Sequence, residues 1–176
     1  MSLKIFTRSI GAVAMACWSS ASTPATGLNV PVAARVISFI QPTPQGILPV
    51  AIVYQPGNAT SEAEAVTIER ALATTTQVGR ARLKTRRVTT SNLAALDGAK
   101  AAFVTSSLRP HHDDVAQAAT SRSILTITSD TTCVMAERCV VGITSADRTQ
   151  IIVSRAAARR NGIRFGSAFL MLVKEI

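Results

Sequence analysis

The sequence is poor in the residues from which catalytic and metal sites are usually built. Its 176 residues include three Cys, two His, one Trp and one Tyr. It has no Cys-x-x-Cys pair and no spaced His pair, so it lacks the usual zinc ligands. It also lacks a glycine-rich phosphate loop and a Gly-x-Ser-x-Gly segment. We therefore expect no metal, no cofactor and no catalytic activity.

The chain also has few aromatic and few acidic residues. Hydrophobic residues make up 47% of it and are mostly aliphatic, which suits an α/β layer structure better than a sugar-binding or single-strand-binding surface. After residue 21 no apolar run is long enough to span a bilayer. The formal net charge of +9 favours an acidic protein partner or an anionic membrane face.

Residues 1–21 have the layout of a secretory signal peptide. Lys4 and Arg8 precede a short apolar core, and small residues allow cleavage after Ala16 or Ala21. Lipidation of Cys17 is the lower-ranked alternative, because Ala14 stands where a lipoprotein signal usually has Leu. We predict an exported chain with a tether over 22–30 and one domain over 31–176. Export argues against a nucleic-acid partner.

Two cysteines remain once the leader is removed. Export favours a disulfide between Cys133 and Cys139, worth about 2–3 kcal/mol for a loop of this size. Two free thiols and half of a metal site are the alternatives. Whether the pair is structural or senses redox state is left open.

Hydrophobic periodicity predicts alternating helices and strands. The expected helices cover 31–40, 62–75, 92–96, a segment from residue 110, 155–160 and 167–173. The expected strands cover 48–54, 80–90, 101–105, 124–128, 140–145 and 149–153, the last two forming a hairpin. Ser61 and Glu64 match a capping box for the second helix. This order predicts an α/β fold with a mostly parallel sheet, helices on both faces and a C-terminal antiparallel hairpin.

Two segments are candidates for binding. Arg80, Arg82, Lys84 and Arg86 alternate with apolar residues, so they lie on one side of a strand; this pattern is typical of a protected edge strand or of a basic docking face. Loops that follow parallel strands bind ligands in α/β sheets, which makes the two loops after the first and third strands a small-ligand candidate. Their residues are Pro56, Gly57, Ser106 and Ser107.

The cluster of His111, His112, Asp113 and Asp114 is a weak candidate for metal binding or catalysis. Adjacent side chains on a helix diverge, so they do not converge on an ion. Combined with Ser106, they crowd one helix start and cannot form a catalytic triad.

Three segments of the sequence carry motifs. Residues 96–104 read LDGAKAAFV, residues 123–130 read SILTITSD and residues 151–163 read IIVSRAAARRNGI. In this order they resemble the motifs L-x-G-C/A-x-x-L-F-I, R-P-V-L-T-V-G/S-D and F-E-I-N-L-D-A-A-R-R-A-G-L of the YfiR/HmsC-like periplasmic proteins. Two features differ: the segment 39–42 lacks the Trp of F-x-x-W-P, and Arg155 replaces the acid of N-L-D.

The resemblance implies an exported, non-catalytic regulator, often dimeric, in the periplasm. Such a protein binds and restrains an inner-membrane signalling protein, for example a diguanylate cyclase of a cyclic-di-GMP pathway. Some members place a loop disulfide where Cys133 and Cys139 stand. The expected partner surfaces are the basic strand and the last helix, with Phe165 and Phe169. A periplasmic small-ligand-binding domain is the alternative function.

Overall fold

The computed structural model describes residues 27–145 and 148–176. The predicted signal peptide, most of the predicted tether and the hairpin turn residues Ala146 and Asp147 lie outside these residues. The helices are α1 (Val30–Ile37), α2 (Ala59–Thr74), α3 (His112–Thr120), α4 (Thr131–Met135), α5 (Arg155–Arg160) and α6 (Ser167–Leu170), with 3₁₀ helices at Thr90–Leu96 and Arg109–His111. The strands are β1 (Gln45–Tyr54), β2 (Gln77–Val78), β3 (Arg80–Thr89), β4 (Ala101–Val104), β5 (Leu125–Thr128), β6 (Val141–Ser145), β7 (Thr149–Val153) and β8 (Lys174–Glu175).

One mixed sheet contains all of these strands. Their order is β2-β3-β1-β4-β5-β6-β7-β8. Strands β3, β1, β4, β5 and β6 run parallel, while β6 and β7 form an antiparallel hairpin. The predicted fold class is therefore confirmed, because this parallel sheet carries helices on both faces and a C-terminal hairpin.

The order of the strands reverses between β1 and β4. From β1 the chain passes through α2 to β3 on one side, and then returns to β4 on the other side of β1. The loops that leave β1 and β4 therefore lead to helices on opposite faces of the sheet, α2 and α3. Ligands of doubly wound sheets bind at such a point.

Two apolar layers hold the helices on the sheet. One layer packs α1, α2, α5 and Phe169 against Ile52 and Phe103, among others. The second packs the first 3₁₀ helix and α3 against Val53 and Val104. Because the side chains of a strand point alternately to its two faces, consecutive residues of β1 and β4 pack into opposite layers. Each fully buried large side chain contributes about 1.5–3 kcal/mol.

Helix α4 lies against β6, in the segment that was expected to be a loop closed by the disulfide. A Cβ on Gly142 would be 2.9 Å from Val134 Cγ2, so glycine is what allows this close approach. The Cys133 and Cys139 sulfur atoms are bonded to each other across the end of the helix. The bond joins α4 to the segment that enters β6.

The C-terminus differs from the predicted helix over 167–173. Helix α6 ends at Leu170, and Lys174–Glu175 form β8, which pairs in parallel with β7. Backbone hydrogen bonds from Arg155 N–H to the Ile176 carbonyl and from Ile176 N–H to the Val153 carbonyl, both 2.9 Å, fix this ending. These long-range bonds outweigh the local helical pattern.

Candidate functional site

The polar groups at the carboxyl ends of β1, β4 and β5 form the best-defined candidate site. Asn58 caps α2, because its side chain accepts a hydrogen bond from Ser61 N–H at 3.1 Å. The predicted capping box is therefore wrong: the helix begins one turn earlier than Ser61. As a result, the side chains of Ser61 and Glu64 are free to make contacts across the sheet edge.

Ser61 belongs to a buried chain of hydrogen bonds. Gln55 N–H donates to Ser61 Oγ at 2.9 Å, and Ser61 Oγ lies 2.7 Å from Thr105 Oγ1. The Thr105 hydroxyl donates to the Val53 carbonyl at 3.3 Å, so Ser61 is the donor to Thr105. Ser61 and Thr105 are both fully buried. The chain fixes α2 against the ends of β1 and β4.

Glu64 joins three elements through its carboxylate. Ser106 donates to Glu64 Oε2 from both its N–H and its hydroxyl, each at 2.8 Å. The Ser129 hydroxyl donates to Oε1 at 3.3 Å. The carboxylate thus connects α2 with the loops after β4 and β5.

A cleft of about 570 Å³ opens beside Glu64, between the beginning of α1 and the N-terminal half of α2. Its lining is mostly apolar, and Glu64 is the one charged residue that the described part of the chain contributes to it. The lining residues are Gly27, Leu28, Val30, Ala59, Thr60, Ala63, Glu64, Thr67, Ile68 and Ser106.

The predicted ligand residues are only partly brought together. Ser106 lines the cleft, whereas Ser107 is half-buried and its hydroxyl is buried without a hydrogen-bond partner. Pro56 and Gly57 are exposed and lie outside the cleft lining. Gly57 has φ +77°, and its N–H donates to Glu62 Oε1 at 2.9 Å. The loop after β1 therefore supports the start of α2 and does not line the cleft.

A second polar cluster lies at the end of β5. His112 Nε2 is 3.6 Å from Asp130 Oδ2, and Arg109 Nε is 3.9 Å from the same oxygen. His112 is buried, and its Nε2 has no hydrogen-bond partner among the described residues. Burial lowers the pKa of His112 from its usual value, Arg138 and Arg109 lower it further, and Asp130 and Asp113 oppose this. The net shift favours the neutral imidazole.

The basic strand is β3, near one edge of the sheet. Arg80, Arg82, Lys84 and Arg86 are exposed, while Ala81 and Leu83 between them are buried. Within the described chain, β2 pairs with β3 at Ala81 and Arg82, so most of the outer edge of β3 is open.

An apolar residue lies beside these cations. Ile47 pairs with Arg82 in the register of β1 and β3, and it is 70% exposed. Arg86 donates to the Asp97 carbonyl, and none of the four cations has an acidic partner in the described part of the chain. We call Ile47 together with Arg80, Arg82, Lys84 and Arg86 the basic face.

The predicted partner residues of the last helix need a correction. Phe169 is buried and stacks on Phe39, with the ring centroids 4.8 Å apart, while Phe165 is half-buried against it. Phe169 is thus a core residue and not part of an accessible surface. Met171 and Leu172, each 81% exposed, form the apolar surface of this segment.

Residues 27–145 and 148–176 contain neither a cluster of metal-ligating side chains nor a membrane-spanning helix. No three side chains among His, Cys, Asp and Glu come together closely enough there to hold a metal ion. Ionic contacts divide the predicted His-His-Asp-Asp cluster: Asp113 pairs with Arg138, and Asp114 lies 3.8 Å from His111. None of the helices in this part of the chain combines the length and the apolar character needed to cross a membrane.

The sequence profile of the YfiR/HmsC-like family matches residues 57–174, well over half of the chain. The chain belongs to the YfiR/HmsC-like family. This confirms the resemblance seen in the three motifs, and it places the protein in a family of periplasmic regulators of signalling. A search of curated proteins finds no significant match to this YfiR/HmsC-like protein.

Solved structures resemble the fold at low sequence identity. A conserved domain protein from Vibrio cholerae O1 biovar El Tor has a TM-score of 0.61 at 11% identity, with 83% of this chain and 58% of that chain covered. The ABC domain from Streptococcus pneumoniae in complex with L-Trp has a TM-score of 0.58 at 11% identity, with 81% and 58% covered. CD0873, a substrate-binding protein with adhesive properties from Clostridium difficile, has a TM-score of 0.51 at 13% identity, with 73% and 54% covered. The YfiR/HmsC-like chain thus spans little more than half the length of each, and the likeness concerns the fold alone.

Proposed function

We propose that this protein is an exported regulator that binds the periplasmic part of an inner-membrane signalling protein, such as a diguanylate cyclase, and restrains it. Membership of the YfiR/HmsC-like family supports the regulatory role. The observation that carries the contact surface is the basic face, where exposed Ile47 lies beside Arg82 in a row of four cations that have no acidic partner among the described residues.

The chemistry of the basic face suits an acidic partner. Arg is enriched in protein interfaces, and an apolar centre with a charged rim is their usual arrangement. Complementary charge speeds the encounter and fixes the orientation of the two proteins. Without Lys4 and Arg8 of the leader, the chain keeps 17 basic and 10 acidic residues, and this net charge of about +7 adds a long-range attraction to an acidic domain.

Restraint of a partner requires preferential binding to one of its states. A shift from 1:99 to 99:1 between two states needs a difference in affinity of about 10⁴-fold. The regulator therefore has to contact a part of the partner that differs between the active and the inactive state. A second copy of this chain within the complex is a further prediction from the family resemblance.

A charge-reversal pair tests the basic face. Arg82→Glu/Lys84→Glu should abolish recovery of the membrane partner by crosslinking from native membranes, followed by mass spectrometry. The matched control is Arg70→Glu/Arg164→Glu, which makes the same change in net charge at exposed positions elsewhere. Equal recovery of the same partner with both variants contradicts a role for the basic face, and recovery of no membrane protein by the wild type contradicts the proposed function.

The cleft beside Glu64 favours a second candidate function, binding of a small ligand. Ser106, in the loop after β4, lines it next to the point where the strand order reverses, and its volume of about 570 Å³ falls within the usual range for ligand pockets. A thermal-shift screen against a metabolite collection tests this function. Absence of any stabilising compound would contradict it.

A further inference from the structure

We propose that the cleft between α1 and α2 binds a small organic cation, a primary amine with an apolar body, and that Glu64 anchors its ammonium group. This inference rests on the second proposed function and names the class of ligand. Three observations lead to it: the charge of the lining, the unused hydrogen-bonding capacity of its polar groups, and the apolar wall.

The lining has one charged group, and it is negative. Glu64 is the single charged residue among the described residues that line it, although the chain as a whole has a net charge of +9. An anionic ligand would meet the Glu64 carboxylate without a cation in the lining to balance it. Asn58 already accepts from Ser61 N–H at the start of α2, which further disfavours an anion there.

The polar groups of the cleft have acceptor capacity to spare. A carboxylate offers about four lone-pair positions, and Ser106 and Ser129 use three of those of Glu64. The Ser106 hydroxyl donates to Glu64, and the Thr67 hydroxyl donates to the Ala63 carbonyl at 2.9 Å, so both keep only acceptor positions for a ligand. A set of unused acceptors calls for a ligand that donates, and a primary ammonium group has three N–H donors.

The rest of the cleft fits an apolar body. Leu28, Val30 and Ile68 line it with hydrocarbon, together with the small side chain of Ala63. Glu64 itself is held by α2 and by the loops after β4 and β5, so the anchor is positioned before the ligand arrives. Such preorganisation lowers the cost of binding.

Three probes that differ in one group test the charge preference. The full-length sequence is expressed, and the exported protein is titrated with 2-phenylethylamine, 3-phenylpropionate and 2-phenylethanol, using calorimetry and ¹H–¹⁵N NMR. We expect the amine to bind at least tenfold more tightly than the carboxylate or the alcohol. The Ser106 amide should shift on binding, because its N–H donates to the anchoring carboxylate.

Variants separate the charge from the shape of the cleft. Glu64→Gln should weaken amine binding at least tenfold while keeping a side chain of the same size. Glu62→Gln, the same change two residues earlier on α2, should leave the affinity within twofold. Ala63→Leu should block all binding by filling the cleft, without a change of charge. Melting curves of each variant show whether it is folded.

The outcomes show separately whether the proposed ligand class, an amine, and the proposed ligand-binding function are correct. Equal affinity for amine and carboxylate, or amine binding that survives Glu64→Gln, overturns the proposed class. If a metabolite from the thermal-shift screen that is not an amine binds, and Ala63→Leu abolishes its binding, the class falls and the ligand-binding function stands. If no probe or metabolite binds, both fall.

Discussion

Reduction of the Cys133–Cys139 bond should measurably destabilise the domain. The two cysteines are six positions apart, so the bond closes a short loop. The loop-entropy relation gives about 2.4 kcal/mol for a loop of about seven residues at 25 °C. For a domain of about 150 residues, 1 kcal/mol corresponds to about 2–4 °C, so the melting temperature should fall by about 5–9 °C.

The double variant Cys133→Ala/Cys139→Ala should be less stable than the reduced protein. Reduction removes the constraint on the loop but keeps both buried sulfur atoms. The variant also removes two side-chain atoms that pack with Val134 and Ile152. Deletion of small buried groups adds about 0.5–1.5 kcal/mol at each position.

The assay is thermal and urea denaturation of three samples: oxidised protein, protein in reductant, and the alanine variant. Thiol titration in denaturant verifies the redox state of each sample. Equal melting temperatures for oxidised and fully reduced protein would refute the loop-closure reasoning. They would show that packing of α4 on β6 alone holds this segment.

Three further predictions concern buried groups. The pKa of His112 is below its usual value in the folded state, so the unfolded chain binds more protons near pH 6. The contribution of His112 to stability should be complete above the unfolded pKa of about 6.5 and decrease as the pH falls below it. Urea denaturation between pH 7.5 and 5 should therefore show a weaker dependence of the unfolding free energy on pH for His112→Gln than for the wild type. Ser61→Ala should cost about 1–3 kcal/mol in urea denaturation because it leaves buried partners without a hydrogen bond, whereas Thr60→Ala, at an exposed neighbour, should cost under about 0.5 kcal/mol. Gly142→Ala should cost about 1–3 kcal/mol of unfolding free energy through its contact with Val134. In a protein that already carries Val134→Ala, most of this cost should disappear, and strict additivity in this double-mutant cycle would contradict the contact.

The central strands could be predicted from the sequence because their residues are buried on both faces. Residues 48–54 and 101–105 are nearly continuous apolar runs between turn residues. This pattern can be recognised without knowing which strands lie next to them. Helix α4 has five residues, which is too short for a helical period to show. Strand β8 has two residues, and it exists only because β7 lies next to it.

The site could be predicted only in outline. The rule for parallel sheets leads to the loop that holds Ser106, which lines the cleft, because the rule depends on topology alone. The role of Glu64 was missed: Ser61 and Glu64 match the spacing of a capping box, and local spacing does not show that Asn58 takes the cap. Its partner Ser106 is 42 positions away, and no periodic signal in the sequence connects them.

The sheet separates the two candidate binding regions. The cations of the basic face alternate along β3 with Ala81 and Leu83, which are buried in the layer of α1 and α2. The basic face therefore points away from that layer, which contains the cleft. A macromolecule and a small amine can therefore occupy the molecule at the same time without touching. Any influence of one on the affinity for the other would be a coupling free energy transmitted through the sheet, and it would be equal in both directions.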